Sequence, residues 1–303
     1  MLDTQLTLLV VIVIGYCITK AGVFSAKTRA DLTNVVIYVM MPCNIFGAFH
    51  KGITPDTLMQ CLIVFLSASG LQVMLFILNR ILYIKVKKER RVVLQYATYV
   101  NNAAFLGLPV IGAVFGPTGV LFGSIMLIPM RIVMWTSGLM LFTKMDKKES
   151  IKVIATHPCI WAVILGMGYI FAPFELPSFL SGAIRLVGDC VTVLPMLIVG
   201  SILHGVKPKE VLVKECFYFS FFRLAVIPAI MFGVLMLLHV SPLVVGVVVL
   251  SSAMPAAMTT AMLAEKYGQD SAFASKVIFV STILSMVTLP VITEILHRVA
   301  PVG

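Results

Sequence analysis

The chain has 303 residues, 60% of them hydrophobic and only 12% charged, with a mean hydropathy of +1.04, whereas soluble domains carry about 25% charged residues. This excludes an ordinary soluble domain. The net charge of +10 does not mark a nucleic-acid binder either, because the basic residues sit in short segments between apolar runs rather than on one polar face.

Apolar runs of about 17 to 25 residues read as membrane-spanning helices, and ten are found: 5–20, 32–50, 57–82, 92–114, 118–142, 158–174, 178–204, 216–238, 242–265 and 271–296. The first resembles a signal-peptide core. However, no Lys or Arg precedes it, and Lys20, Lys27 and Arg29 follow, an order that retains it as a helix with its N-terminus outside. The second carries Pro42 and Asn44. The fourth and ninth are interrupted: the stretch 99–119 holds Asn101, Asn102, Pro109 and a Gly-Pro pair, and the stretch 251–268 holds Pro255, Thr259 and Thr260. Helix breakers at membrane depth are tolerated only where the freed backbone faces protein or a watery cavity. The six cysteines (17, 43, 61, 159, 190 and 216) have no CxxC spacing and read as small apolar packing residues rather than disulfide or metal partners.

Ten spans with both termini outside place nearly all the basic loop residues on one side. Inside fall Lys20, Lys27 and Arg29; Arg80, Lys85, Lys87, Lys88, Arg90 and Arg91; Lys144, Lys147, Lys148 and Lys152; Lys207, Lys209 and Lys214; and Lys266. Outside fall Lys51 and Arg298. A span missed or invented before the middle would exchange the sides of every later loop and destroy this asymmetry.

The backbone punctuation repeats. Pro42, Gly47, Gly52 and Pro55 match Pro195, Gly200, Gly205 and Pro208 at an offset of 153, and Phe115-Gly116 matches Tyr267-Gly268 at 152. An odd number of spans per half makes the second half enter from the opposite side. The expectation is therefore an all-α polytopic membrane protein of two inverted five-helix repeats, residues 1–145 and 158–303, joined by a cytoplasmic linker at 146–157. The broken fourth and ninth spans would cross near the midplane.

At such a crossing, half-helix N-termini present N–H groups that suit a carboxylate. Asn101, Asn102, Thr259 and Thr260 add uncharged hydrogen-bonding groups, with Asn44 contributing from the second span; the same residues could instead simply bond helices together. Five ionisable residues fall inside spans: Arg131, Arg185, Asp189, Arg223 and Lys276. Arg185 and Asp189, four residues apart, can neutralise each other. As the carboxylate well inside a span, Asp189 is also the candidate for proton or cation coupling. Arg223 and Lys276 either attract an anion or snorkel to the interface. No GxxxxGK[ST], HExxH or GxSxG occurs, and Gly188-Asp189 lacks the preceding glycine of a GxGD protease, so neither ATP hydrolysis nor another enzymatic activity is expected, nor a cofactor. The GxxxG pairs Gly112/Gly116 and Gly119/Gly123 speak only to close helix packing.

NNAAFLGLPVIGAVFGPTG (101–119), AMPAAMTTAMLAEKYGQDS (253–271) and the proline of YVMMPCN (38–44) together resemble the auxin efflux carrier family, whose bacterial members include malonate and malate permeases. Asn102 and Gly107-Leu108-Pro109 match its fourth-helix motif, and Pro255 its ninth-helix proline. Asn101 stands where plant members have the crossover proline, Thr260 where they tend to have a second one, and the long cytoplasmic loop is missing. These departures argue for a compact prokaryotic member and against auxin as the substrate. The resemblance implies a fold similar to the bile acid sodium symporters. In that fold helices 1, 2, 6 and 7 form a scaffold, helices 3–5 and 8–10 move as an elevator, and the crossing holds an organic anion.

The leading expectation is thus a secondary transporter of small organic anions in the plasma membrane. A sodium-coupled symporter of the bile acid type and a non-transporting sensor are the alternatives. Its expected partners are the anion, a coupling proton or sodium ion and the lipid bilayer; the sequence allows a homodimer, and nucleic acid is not expected.

Overall fold

The computed structural model describes residues 2–47, 55–143, 155–156, 158–170, 172, 174–204 and 213–299. The expected linker at 146–157 lies almost wholly outside these residues, as do Lys51, Gly52, Gly205 and Pro208. Among the described residues the regular structure is helical: α1 (Leu2–Lys20), α2 (Ala26–Gly47), α3 (Pro55–Leu82), α4 (Lys88–Tyr99), α5 (Ala103–Gly116), α6 (Thr118–Phe142), α7 (Pro158–Ile170), α8 (Ser178–His204), α9 (Lys214–Leu237), α10 (Pro242–Ser252), α11 (Thr259–Lys266) and α12 (Ser271–Val299). Helices satisfy their own backbone, which lipid cannot do. Six of them (α2, α3, α6, α8, α9 and α12) are long and apolar enough to cross a membrane. Among the described residues each of the ten apolar runs is largely helical. The fourth and ninth are each split, into α4 with α5 and α10 with α11.

Prolines follow three of the π turns inside the described helices; the one at Met134–Gly138 has none after it. Pro42, Pro109 and Pro228 each stand two residues beyond a π turn, at Val36–Met40, Ala103–Gly107 and Phe222–Val226. A proline offers no N–H to the carbonyl four residues back and its ring crowds that carbonyl; a widened turn just upstream accommodates both defects without ending the helix. Pro109 therefore lies inside α5. The break itself falls upstream, where Val100 is extended and the chain resumes helix at Ala103.

Two hairpin turns are made in the same way. α5 turns into α6 at Gly116 (φ 66°), and α11 turns into α12 at Gly268 (φ 63°). Only glycine takes up such a backbone without strain, so two glycines matched by sequence offset share an unusual φ.

Packing does not follow the two halves of the sequence. α1, α2, α7 and α8 pack on one another, while α3–α6 and α9–α12 surround the two breaks. The closest approach within the first group is α1 against α8. A Cβ placed on Gly200 would overlap the carbonyl oxygen of Ile12, and one on Gly15 would overlap that of Leu197. Between the groups, at the end bearing the predicted inside charges, Arg29 pairs with Glu265 and Lys266 donates to Asn34 Oδ1 at 3.1 Å.

Because backbone cannot retreat as a side chain can, Gly200→Ala should cost about 1–3 kcal/mol and lower the melting temperature of the detergent-purified protein. Gly182→Ala, whose new methyl meets no atom within 4 Å, should not lower it, since alanine is the better helix former.

Candidate functional site

The two broken stretches meet and repair each other. Asn101 and Ala256 form an antiparallel bridge, in which the Asn102 N–H donates to Pro255 O at 2.8 Å and the Ala257 N–H to Val100 O at 3.4 Å. The Ala256 N–H is taken by Ser281 Oγ of α12 at 3.2 Å. Pro255, which cannot donate, thus serves through its carbonyl.

The adjacent asparagines divide their work. Asn101 Nδ2 donates to Ser251 O at 2.6 Å and its Oδ1 accepts from the Ala103 N–H at 3.2 Å, so its amide is spent on tying the end of α10 to the start of α5. The Asn102 amide, 1% exposed, has no hydrogen-bond partner on either its nitrogen or its oxygen. A buried amide left unsatisfied costs about 1–3 kcal/mol. It is retained where a ligand or water completes it.

A cavity of about 30 Å³ opens beside Asn102, lined by Asn44, Asn101, Phe105, Met130, Arg131, Ala257 and Thr259 among others. Its walls include the first turns of α5 and α11, so two helix N-termini, the positive ends of their dipoles, face the same space. Arg131 adds a full positive charge. Among the described ion pairs none involves this buried guanidinium. Arg131 shares an inward stripe of α6 with Leu127, Met130, Met134 and Trp135, all buried, at the i, i+3, i+4, i+7 spacing of a core-facing side. That stripe was the available sequence signal. Flagged only as a charge inside a span, Arg131 becomes the cation of the cavity once the stripe is traced.

The opposite pole is equally ordered. Arg223, in the π turn of α9, is 2% exposed; its Nε donates to Met254 O at 3.2 Å and an Nη to Thr98 O at 2.9 Å. These carbonyls belong to the end of α4 and the segment just after α10. The side chain therefore neither snorkels nor waits for an anion; it caps two negative helix ends. Thr98 also shares a hydrogen bond of 2.7 Å with Tyr83, just past the end of α3, and Tyr96 OH donates to Thr259 Oγ1 at 3.3 Å, joining α4 to α11.

The other predicted residues fall elsewhere. Thr260 is fully buried with an unpartnered hydroxyl but does not line the cavity. Asn44 lines it and donates to Gly188 O of α8 at 3.3 Å. Asp189 and Arg185 are both exposed on α8, away from the cavity, with no ion pair between them among those described. The expected mutual neutralisation is therefore not the arrangement of the structure: each side chain is free to reach polar surroundings on its own. Lys276, half-buried on α12, also lies off the cavity.

The sequence matches the model of a family described as membrane transport protein over residues 2–157 and again over 145–293. It is 30% identical over 304 residues to an uncharacterised transporter of Methanothermobacter thermautotrophicus, covering 97% of this chain and 98% of that one. An uncharacterised transporter of Methanocaldococcus jannaschii is 26% identical over 298 residues, covering 95% and 96%. With a family match running almost from end to end, broken helices paired through their backbones and the motifs quoted above, the chain belongs to the membrane transport protein family of auxin efflux carriers.

Proposed function

We propose that this protein is a secondary transporter of small organic anions, carboxylates above all, and that the anion binds between Arg131 and Asn102 at the crossing. The observation that carries the reading is the conjunction in one cavity of a buried guanidinium, an amide with both ends unsatisfied and two helix N-termini. The guanidinium, the amide NH2 and the helix N-termini each favour negative charge, while the amide oxygen calls for a donor of its own. Thr259 and Asn44 complete the wall.

The cavity of about 30 Å³ has room for about one or two waters and none for a dicarboxylate, so substrate enters only when the packing around it opens. Alternating access supplies that opening: α3–α6 and α9–α12 move as a body against α1, α2, α7 and α8. The packing into these two groups supports an elevator movement, with Arg29–Glu265 and Lys266–Asn34 holding one end closed. An inverted repeat of ten spans with both termini outside the plasma membrane accounts for the antiparallel bridge and for the matched turns at Gly116 and Gly268.

The test is melting temperature in detergent against malonate, malate, lactate and indole acetate, with neutral and cationic metabolites as comparators; ligand binding to the folded state raises it by mass action. A rise with one or two carboxylates is expected, and a rise with neutral or cationic compounds alone would overturn the anion assignment. Arg131→Gln should weaken the responding anion by about 30-fold or more, as expected when a buried charge loses its partner. Asn102→Ala should weaken it by about tenfold, with both variants still folded in the membrane.

Proton coupling, if it runs through Asp189, uses a carboxylate on the face of α8 rather than in the cavity. Asp189→Asn then shifts the pH profile of flux into proteoliposomes, whereas an unchanged profile removes Asp189 from coupling.

A further inference from the structure

Anion binding at Arg131 leaves a second buried cation unused. Arg223 lies on the other side of Asn101, where the carbonyl ends of the broken helices converge. Such unwound carbonyls and half-helix C-termini are the groups with which transporters of broken-helix design hold a sodium ion. Here Thr98 O and Met254 O both accept from the guanidinium. Two more oxygens, Gln72 Oε1 of α3 and Ser251 Oγ of α10, are buried without a donor and line a cavity of about 10 Å³ that Arg223 also lines. Oxygens of this kind are hard ligands suited to a small cation, but a permanent positive charge already holds two of them and lines the cavity beside the residues of the other two. Among the described ion pairs no carboxylate compensates Arg223. A sodium ion entering beside it would meet like charge in a low-dielectric interior.

We propose that Arg223 is a resident cation, occupying the place of a coupling sodium at the crossing, and that anion binding by this carrier is consequently sodium-independent. The role of the crossing as the anion site rests on the function proposed above; the part played by Arg223 rests on its own contacts. A tethered cation is never released, so it stores no sodium gradient. Flux then follows the electrochemical gradient of the anion and of any proton that accompanies it.

The experiment compares melting temperatures of the purified full chain in sodium chloride and in choline chloride at equal ionic strength, with and without malonate. It uses the wild type, Arg223→Ala and Arg223→Lys. The wild type should melt at the same temperature in both salts. Arg223→Ala should melt lower and recover by about 2 °C or more on adding sodium or millimolar guanidinium, but not choline. Sodium-specific stabilisation of the wild type overturns the proposal, and so does a folded Arg223→Ala protein indifferent to both cations. Should Arg223→Ala fail to fold, Arg223→Lys must stay sodium-indifferent, and a sodium requirement there is equally fatal. If neither variant folds, the wild-type comparison decides. The malonate arm separates the two readings. An anion shift that needs sodium sinks the resident cation alone, and no carboxylate shift beside a clean guanidinium rescue sinks the anion site alone.

Discussion

In a hydrocarbon solvent an unpaired peptide group has nowhere to turn, and the structure is arranged around the two places where this chain leaves helix at membrane depth. Each break supplies what the other lacks: the Asn102 N–H finds Pro255 O and the Ala257 N–H finds Val100 O. Neither break is tolerable alone. The antiparallel bridge of Asn101 and Ala256 therefore fixes how α4 and α5 lie against α10 and α11. The side chains of Asn101 and Ser281 complete what the backbone bonds leave open.

Breaking two helices at one level also sorts their dipoles. The N-terminal ends of α5 and α11 face one cavity and the carbonyl ends of α4 and α10 face the other side, so the crossing has a positive and a negative pole. Arginines serve both poles in opposite senses. Arg131 reinforces the positive pole, and Arg223 cancels the negative one by taking up Thr98 O and Met254 O. Charge of one sign is left over, and it faces the orphan amide of Asn102.

Much of this was legible in the residues. Apolar run length located each helical stretch among the described residues, because lipid permits few alternatives to helix, and the proline and asparagine clusters located both breaks. The sequence could not divide labour between Asn101 and Asn102. Both are buried amides, and only three-dimensional contact shows that Ser251 O and the Ala103 N–H consume one of them. Arg223 was unreadable for a similar reason: its acceptors are backbone carbonyls 31 and 125 positions away, and these carry no residue-type signature. The pairing expected of Arg185 and Asp189 failed because i, i+4 spacing permits a contact without enforcing it, and both side chains are exposed.

Arg29–Glu265 and Lys266–Asn34 join the two helix groups at one end, with Arg29 and Glu265 about a fifth exposed. The Arg29–Glu265 pair thus lies between exposed pairs, worth about 0–1 kcal/mol, and buried ones, whose rupture costs about 3–5 kcal/mol. On the elevator movement proposed above, these contacts are the ones that part before the two groups slide at that end, and a ligand that prefers the parted state would draw the population toward it by its differential affinity alone.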